Sequence, residues 1–284
     1  MIKKKYKRVF SINLQPGYRN FTVKDLQELK GKKKLTQILV SDALEASAAE
    51  EAGIDLILAK PDENVPLIRK AAPKTFMTVA IPFIKFSSKE DIVKKALELA
   101  ELGADSIHCG SWNLNFMKYL NEFKIPFQGH AGLVPRRSTW IGGVRAFGKN
   151  ANEASRLLSD IKDIEDTGAW GVEVECVPEE ILGEITKETK LLTLSIGSGK
   201  KSDVQFLFAE DILGCSSIDT PRHAKMYANF NKLNQQIHKE RVNAFKKFDS
   251  EVKKGIFPQK KHSISIDKIE LNNFKKLLRD KKGN

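Results

Sequence analysis

The sequence predicts an α/β fold: a single (β/α)8 barrel of TIM type, with an N-terminal lead-in and a basic C-terminal extension. Three observations predict it. Short apolar runs alternate with helix-patterned segments about eight times, with connections on the order of five residues. Several of the runs are apolar almost throughout, as strands buried on both faces of a parallel sheet must be; Ile54–Ala59 is interrupted only by Asp55. The length of 284 residues and a hydrophobic content of 41% suffice for one large core.

In order, residues 1–21 carry no clear periodic pattern. Thr22 to Gly31 reads as a short helix, with Thr22 as cap, Asp25 three residues later and Gly31 as stop. Strands follow at Leu35–Val40, Ile54–Ala59, Phe76–Ile81 and Asp105–Cys109, and helices at Ala43–Ala52, Val65–Ala72, Glu90–Leu102 and Leu114–Phe123. Glu90–Leu102 is the clearest helix, with Ile92, Val93, Ala96, Leu97, Leu99 and Ala100 on one side. Ile125-Pro126-Phe127 opens a buried strand that stops at Gly129-His130 and enters a loop punctuated by glycine and proline. A helix over about Asn152–Asp166 leads to the strand Gly171–Cys176, then to a helix at Glu179–Lys187 and strands at Leu191–Ile196 and Val204–Ala209. Pro221 to about Val252 forms one or two terminal helices, and Ile266–Leu278 a short amphipathic one. The reading assigns residues 1–254 to the barrel with its lead-in and 255–284 to the extension.

Two strands of one βαβ unit therefore end in His130 and Glu175. The ends of parallel-barrel strands carry the chemistry of this fold. The alternative is a satisfied buried histidine and a capped carboxylate.

Composition narrows the partners. The net charge of +12 is concentrated at residues 3–8, 30–34 and the tail from Lys239 to Lys282, with no nucleic-acid-binding motif beside it. Solvated lysine faces account for it; an acid-attracting surface is the other reading. No run of about 18 apolar residues exists to span a membrane. The apolar stretch Val9–Ile12 is too short for a signal peptide. Cys109, Cys176 and Cys215 make no metal-type pair and read as free thiols in a cytoplasmic protein. Ser195–Lys200 is similar to a phosphate-cradling turn but lacks the longer glycine-to-lysine spacing, which leaves a tight strand-to-loop turn as the simpler reading.

Several ordered motifs carry a family resemblance over about residues 22–230. They are Leu29-Lys30-Gly31-Lys32-Lys33, Glu51–Leu58, Gly129–Pro135, Glu175–Glu179, Ile196–Gly199, Asp203–Gly214 and Pro221–Asn229. The chain resembles ketopantoate hydroxymethyltransferase, of the phosphoenolpyruvate/pyruvate barrel superfamily. That resemblance implies an enolate formed from a 2-oxo acid held by magnesium, a one-carbon unit taken from a tetrahydrofolate derivative, and a homo-oligomer. Glu175 matches the family's general base and His130 its barrel histidine near substrate.

The departures fall on the metal. Pro61, Ala80 and Gly110 stand where the family has its metal-associated carboxylates, and His108 replaces a substrate-holding lysine. The loop after the second strand is shortened to Pro61–Pro66. Magnesium requires oxygen ligands in an octahedral shell, so no metal is expected at the family position.

Strand parity supplies what else lines the interior. If Glu175 faces inward, so does Glu173; if His130 does, so does Gln128; and His108 points in while Cys109 faces the helices. This inner set is either a remodelled active site or a polar lattice keeping a degenerate barrel folded. Two histidines and a carboxylate can also hold a transition metal. The expected site has Glu175 and His130 as catalytic groups. Ser41, Asp42, Lys60, Asp62, His108, Gln128 and Glu173 are its substrate-binding residues. The expected function is carbon–carbon bond chemistry on a small 2-oxo acid through an enolate. The alternative is a non-catalytic barrel that binds a small acid or a protein partner.

Overall fold

The computed structural model describes residues 6–11, 14–81, 85–110, 113–215 and 221–280. Outside them lie the first lysines of the basic N-terminus, Pro82-Phe83 and Ser111 of the family motifs, and the tail's Lys281-Lys282.

Eight parallel strands close into a barrel: β3 (Leu35–Val40), β4 (Leu56–Ala59), β5 (Phe76–Ala80), β6 (Ser106–His108), β7 (Phe127–Gly132), β8 (Gly171–Glu175), β9 (Leu192–Ile196) and β10 (Val204–Phe208). They stand in chain order around the ring, and β10 closes on β3 through Phe206 beside Gln37. Between them run α2 (Ala43–Ala52), α3 (Val65–Ala71), α4 (Lys89–Glu101), α5 (Leu114–Glu122), α6 (Ser138–Ile141), α7 (Ala151–Asp166) and α8 (Glu179–Glu188). Residues 197–203 join β9 to β10 without a helix, and α9 (Ala209–Leu213) follows β10.

Alternation sorts each strand between two cores. Outward residues such as Ile57, Met77, Ile107, Val172 and Val174 pack with Ile92, Leu120, Leu157 and Leu182 of the helices. Inward residues Leu35, Leu56, Phe76, Leu192, Leu194 and Val204 fill the end of the barrel where the strands begin. Trp170 closes this floor, its indole N–H donating to Ser106 Oγ at 2.7 Å, and Leu26 of α1 (Val23–Leu29) belongs to the same cluster. A third group, Leu58, Ile196 and Phe206, lines the β9–β10–β3–β4 side nearer the strand ends. The inner wall facing it, on β6 to β8, is polar.

The sequence-level helix at Thr22 is present with its reciprocal cap. The Asp25 backbone N–H donates to Thr22 Oγ1, and Thr22 N–H donates to Asp25 Oδ2 at 2.8 Å. Before it the structure differs from the sequence reading. There β1 (Lys7–Phe10) and β2 (Pro16–Arg19) pair as an antiparallel ribbon. Its anchor is Arg19, whose Nε donates to both Asp105 oxygens at 2.7 and 2.9 Å. Arg69 donates to the same carboxylate at 3.0 Å. Alternation over four residues, three of them exposed, is too weak a pattern to reveal such a ribbon, and Asp105 lies 86 positions from Arg19.

The chain divides into two compact units, the first ending at Asn229 and the second starting at Phe230. The sequence reading instead drew the barrel to residue 254. In the second unit α10 (Phe230–Lys253) leads through a 3-10 turn at Lys260–His262 to α11 (Lys268–Asp280). Phe257 packs edge-on against Phe248 and beside His262. No helix among the described residues is long and apolar enough to cross a membrane.

Candidate active site

Four inward side chains meet on three adjacent strands. In the ladder His108 of β6 lies beside Gln128 of β7, and His130 lies beside Glu173 of β8. His130 Nε2 is 3.0 Å from Glu175 Oε2 and 3.7 Å from Glu173 Oε1. His108 Nε2 is 3.1 Å from Glu173 Oε2. The two imidazole rings are tilted at 50° with centroids 5.7 Å apart. Glu173 therefore sits between two histidines, and Glu175 reaches the outer one.

Local structure sets these positions. The strand does not stop at Gly129-His130, as the sequence reading had it, but continues to Gly132. Gly129 keeps the ladder with Val172, so His130 stays inside the sheet, two residues short of the strand end. At the end, Gly132 takes φ +83°, and Leu133 N–H donates to the Glu175 carbonyl at 2.8 Å. On the other side of β8, Cys176 adopts φ +51°, a conformation that costs a non-glycine residue on the order of 1 kcal/mol. Its N–H donates to Ile196 O, and its carbonyl accepts from Phe147 N–H. Ser198 bridges the same region, accepting from Val177 N–H and donating to Val174 O, each at 2.9 Å. The Gly197-Ser198-Gly199 turn is thus a brace for the end of β8.

Electrostatics follow from enclosure. Burial works against a protonated His130, but Glu173 and the hydrogen-bonded Glu175 outweigh it and raise its pKa. Burial likewise opposes ionisation of Glu173, yet the two histidines hold its pKa below the usual carboxylate range. The opposite charges on this wall thus favour the protonated form of His130 and the ionised form of Glu173, each against its burial. A hydrogen bond to the Leu133 backbone fixes the His130 ring as well.

The remaining sequence-predicted residues divide. Gln128 is 0% exposed on the same inner wall, and neither its amide oxygen nor its nitrogen has a hydrogen-bond partner among the described residues. Gln37 of β3, which the sequence reading missed, is in the same condition at 1% exposure. Parity with Leu35 would have placed it inward. Ser41, Asp42, Lys60 and Asp62 do not join the cluster. Asp42 caps α2 by accepting from Glu45 N–H, and Ser41 N–H donates to Glu45 Oε2. Asp62 accepts from Asn64 N–H, and Lys60 is exposed after β4. They shape the loops beyond β3 and β4.

The expectation of no metal needs correction on one point. His108, His130 and Glu173 each offer a ligand atom, and those atoms all lie within 4.8 Å of one another. The described residues thus include a group able to hold an ion. At the family position, Pro61, Ala80 and Gly110 have no side-chain oxygen. Ala80 lies beside His108 in the ladder, so an aspartate there would have shared this wall. A magnesium shell built on those three positions does not fit.

Comparison with known proteins places the chain. The family model for ketopantoate hydroxymethyltransferase matches residues 63–260. The chain belongs to the ketopantoate hydroxymethyltransferase family. It is similar to the 3-methyl-2-oxobutanoate hydroxymethyltransferase of Kosmotoga olearia, 34% identical over 259 residues, which is 83% of this chain and 94% of that protein. The Thermotoga neapolitana enzyme of the same name is 32% identical over 271 residues, 87% and 97% of the two chains. Among solved structures, 2,3-dimethylmalate lyase, a PEP mutase/isocitrate lyase superfamily member, aligns with TM-score 0.50 and 10% identity over 86% of this chain and 92% of its own. An oxaloacetate acetylhydrolase aligns with TM-score 0.51 and 9% identity over 78% and 85%. At such identities these two speak for the barrel fold alone. Within the ketopantoate hydroxymethyltransferase family, this member carries a polar inner wall on β6 to β8.

Proposed function

We propose that this chain is an enzyme of hydroxymethyltransferase type acting on a small 2-oxo acid. It makes or breaks a carbon–carbon bond through an enolate. The observation that carries this reading is the His130–Glu175 pair, 3.0 Å apart at the strand-end side of the barrel. Glu175 is the base that removes the proton from the carbon beside the carbonyl. His130 donates a hydrogen bond from Nε2 to the carbonyl oxygen as it gains charge, which is where a preformed donor is most effective. The enolate carbon then attacks a one-carbon unit at the formaldehyde level, which the family resemblance assigns to a methylene-bearing tetrahydrofolate; water supplies the hydroxyl oxygen, the carbon–nitrogen bonds to the folate break, and tetrahydrofolate leaves. Substrate entry displaces Glu175 from His130 and leaves both groups facing the reacting atoms.

The test needs no folate. Incubated with 3-methyl-2-oxobutanoate in D2O, the protein should exchange the C3 proton, followed by NMR. Glu175→Gln should slow exchange by about 10²–10⁴-fold with its circular dichroism unchanged. A second reading rests on Pro61, Ala80 and Gly110, which withhold the family's carboxylates: a barrel that binds a small acid without turning it over. Saturable binding of 3-methyl-2-oxobutanoate with no exchange in the unmodified protein would sink the enzyme reading and leave this one.

A further inference from the structure

We propose that His108, His130 and Glu173 form a binding site for a divalent first-row transition ion, built on the inner wall of β6 to β8. The three offer ligand atoms within 4.8 Å of one another. A tetrahedral ion with bonds of about 2.1 Å sets its ligand atoms about 3.4 Å apart. Glu173 turns one oxygen to each histidine near that spacing, Oε2 at 3.1 Å from His108 Nε2 and Oε1 at 3.7 Å from His130 Nε2. Small side-chain rotations close the set on a common centre.

A hydrogen-bonded lattice is the competing explanation, and it leaves atoms unaccounted for. His108 Nε2 and Glu173 Oε2 are 3.1 Å apart but not aligned as donor and acceptor, and neither has a hydrogen-bond partner among the described residues. Glu173 is 6% exposed, and a carboxylate oxygen held dry without a donor is costly. Close approach without alignment is what lone pairs aimed at a common ion produce. Gln128, fully buried next to His108 in the ladder with its amide unpartnered, is a further oxygen donor on the same wall. A bound ion would satisfy several buried atoms that the protein leaves unpaired.

Donor chemistry selects the ion. Two imidazoles and one carboxylate suit zinc, cobalt or iron(II), whereas magnesium prefers a shell of oxygens. Three protein ligands leave positions open, as catalytic rather than structural sites do. A 2-oxo acid can chelate such an ion through its carboxylate and carbonyl oxygens. On this point the inference rests on the enolate reading; the binding of the ion does not. With the ion on His130, Glu175 loses that hydrogen bond and is free as the base, and the ion takes over polarisation of the carbonyl.

The test is a titration of the full-length protein, cleared of metal by a chelator, with Co2+ and separately with Zn2+. Co2+ should produce visible d–d absorption saturating at one ion per chain. Zn2+ should displace it, and millimolar Mg2+ should not. His108→Gln and Glu173→Gln should each weaken Co2+ binding by more than about 100-fold. Asp62→Asn, on the exposed loop after β4, should leave it unchanged. Folding of each variant is checked by circular dichroism, and either variant alone suffices if the other fails to fold. Absence of a saturable Co2+ band in the unmodified protein, or a band that survives in folded variants, overturns the proposal. Proton exchange without any ion effect, beside intact Co2+ binding, would instead separate the site from the enolate chemistry.

Discussion

Gly132 and Glu175 are partners across β7 and β8, and their backbones are in such close approach that neither can shift alone. A Cβ added to Gly132 would lie 2.4 Å from the Glu175 carbonyl oxygen, an atom that already accepts from Leu133 N–H at 2.8 Å. Gly132 also occupies φ +83°, where a side chain is strained. Gly132→Ala should therefore cost about 2–4 kcal/mol, read from urea unfolding. Exchange at C3 of 3-methyl-2-oxobutanoate should fall further than stability does, because the shift displaces Glu175 from His130. A variant of unchanged activity would show that the catalytic wall tolerates movement at the end of β8.

Ser198 holds the same strand end from the other side. Ser198→Ala strands the Val177 N–H and the Val174 carbonyl, which the hydroxyl now joins. Leaving a buried donor without a partner costs about 1–3 kcal/mol. The melting temperature should fall by about 2–4 °C for each kcal/mol in a unit of this size. Ser198→Thr, which keeps the hydroxyl, should recover part of the loss.

How far the sequence could be read follows from which forces act locally. The eight strands were legible because a parallel strand buried on two faces must be largely apolar, as Leu56–Ala59 is throughout. The Thr22–Asp25 cap was legible because it closes within four residues. Strand parity placed His108, Gln128, His130 and Glu173 on one wall before any contact was known. Parity could not supply register, so the seating of Glu173 between two histidines was invisible. It depends on the stagger of three strands. The β1–β2 ribbon was hidden for a related reason: its hold on the barrel is Arg19 with Asp105, a long-range ion pair that no local pattern records. Ser41, Asp42 and Asp62 were hard to assign from sequence because residues that cap helices and close turns are the same types that bind substrates.

The floor of the barrel should separate stability from activity. Trp170 and Ser106 lie at the beginnings of the strands, away from Glu175. Trp170→Phe keeps most of the aromatic packing against Phe76 but removes the donor to Ser106 Oγ. It should cost about 1–3 kcal/mol in unfolding free energy and leave the exchange rate per folded molecule within about twofold. A much larger loss of rate in folded protein would mean that floor and mouth are coupled through the inner wall.

The last prediction concerns acid stability. Asp203 precedes β10 and ties three elements together. It accepts from Gly31 N–H at 2.9 Å, Lys30 Nζ at 3.0 Å, and the N–H and hydroxyl of Thr193 at 2.9 and 3.0 Å. Burial opposes its ionisation, but these backbone and lysine donors outweigh that and hold its pKa below the ordinary value. A depressed carboxyl stabilises the folded state fully above its unfolded pKa, near 4. That contribution fades as the pH falls through this value toward the lower folded one. Asp203→Asn removes the charge while nearly preserving the shape. It should destabilise the protein by about 3 kcal/mol at pH 7, and the gap between the two proteins should narrow below about pH 4. Urea unfolding of both at pH 7, 5 and 3.5 measures it. A gap that stays constant across that range would assign the stabilisation to packing around Asp203 and not to its charge.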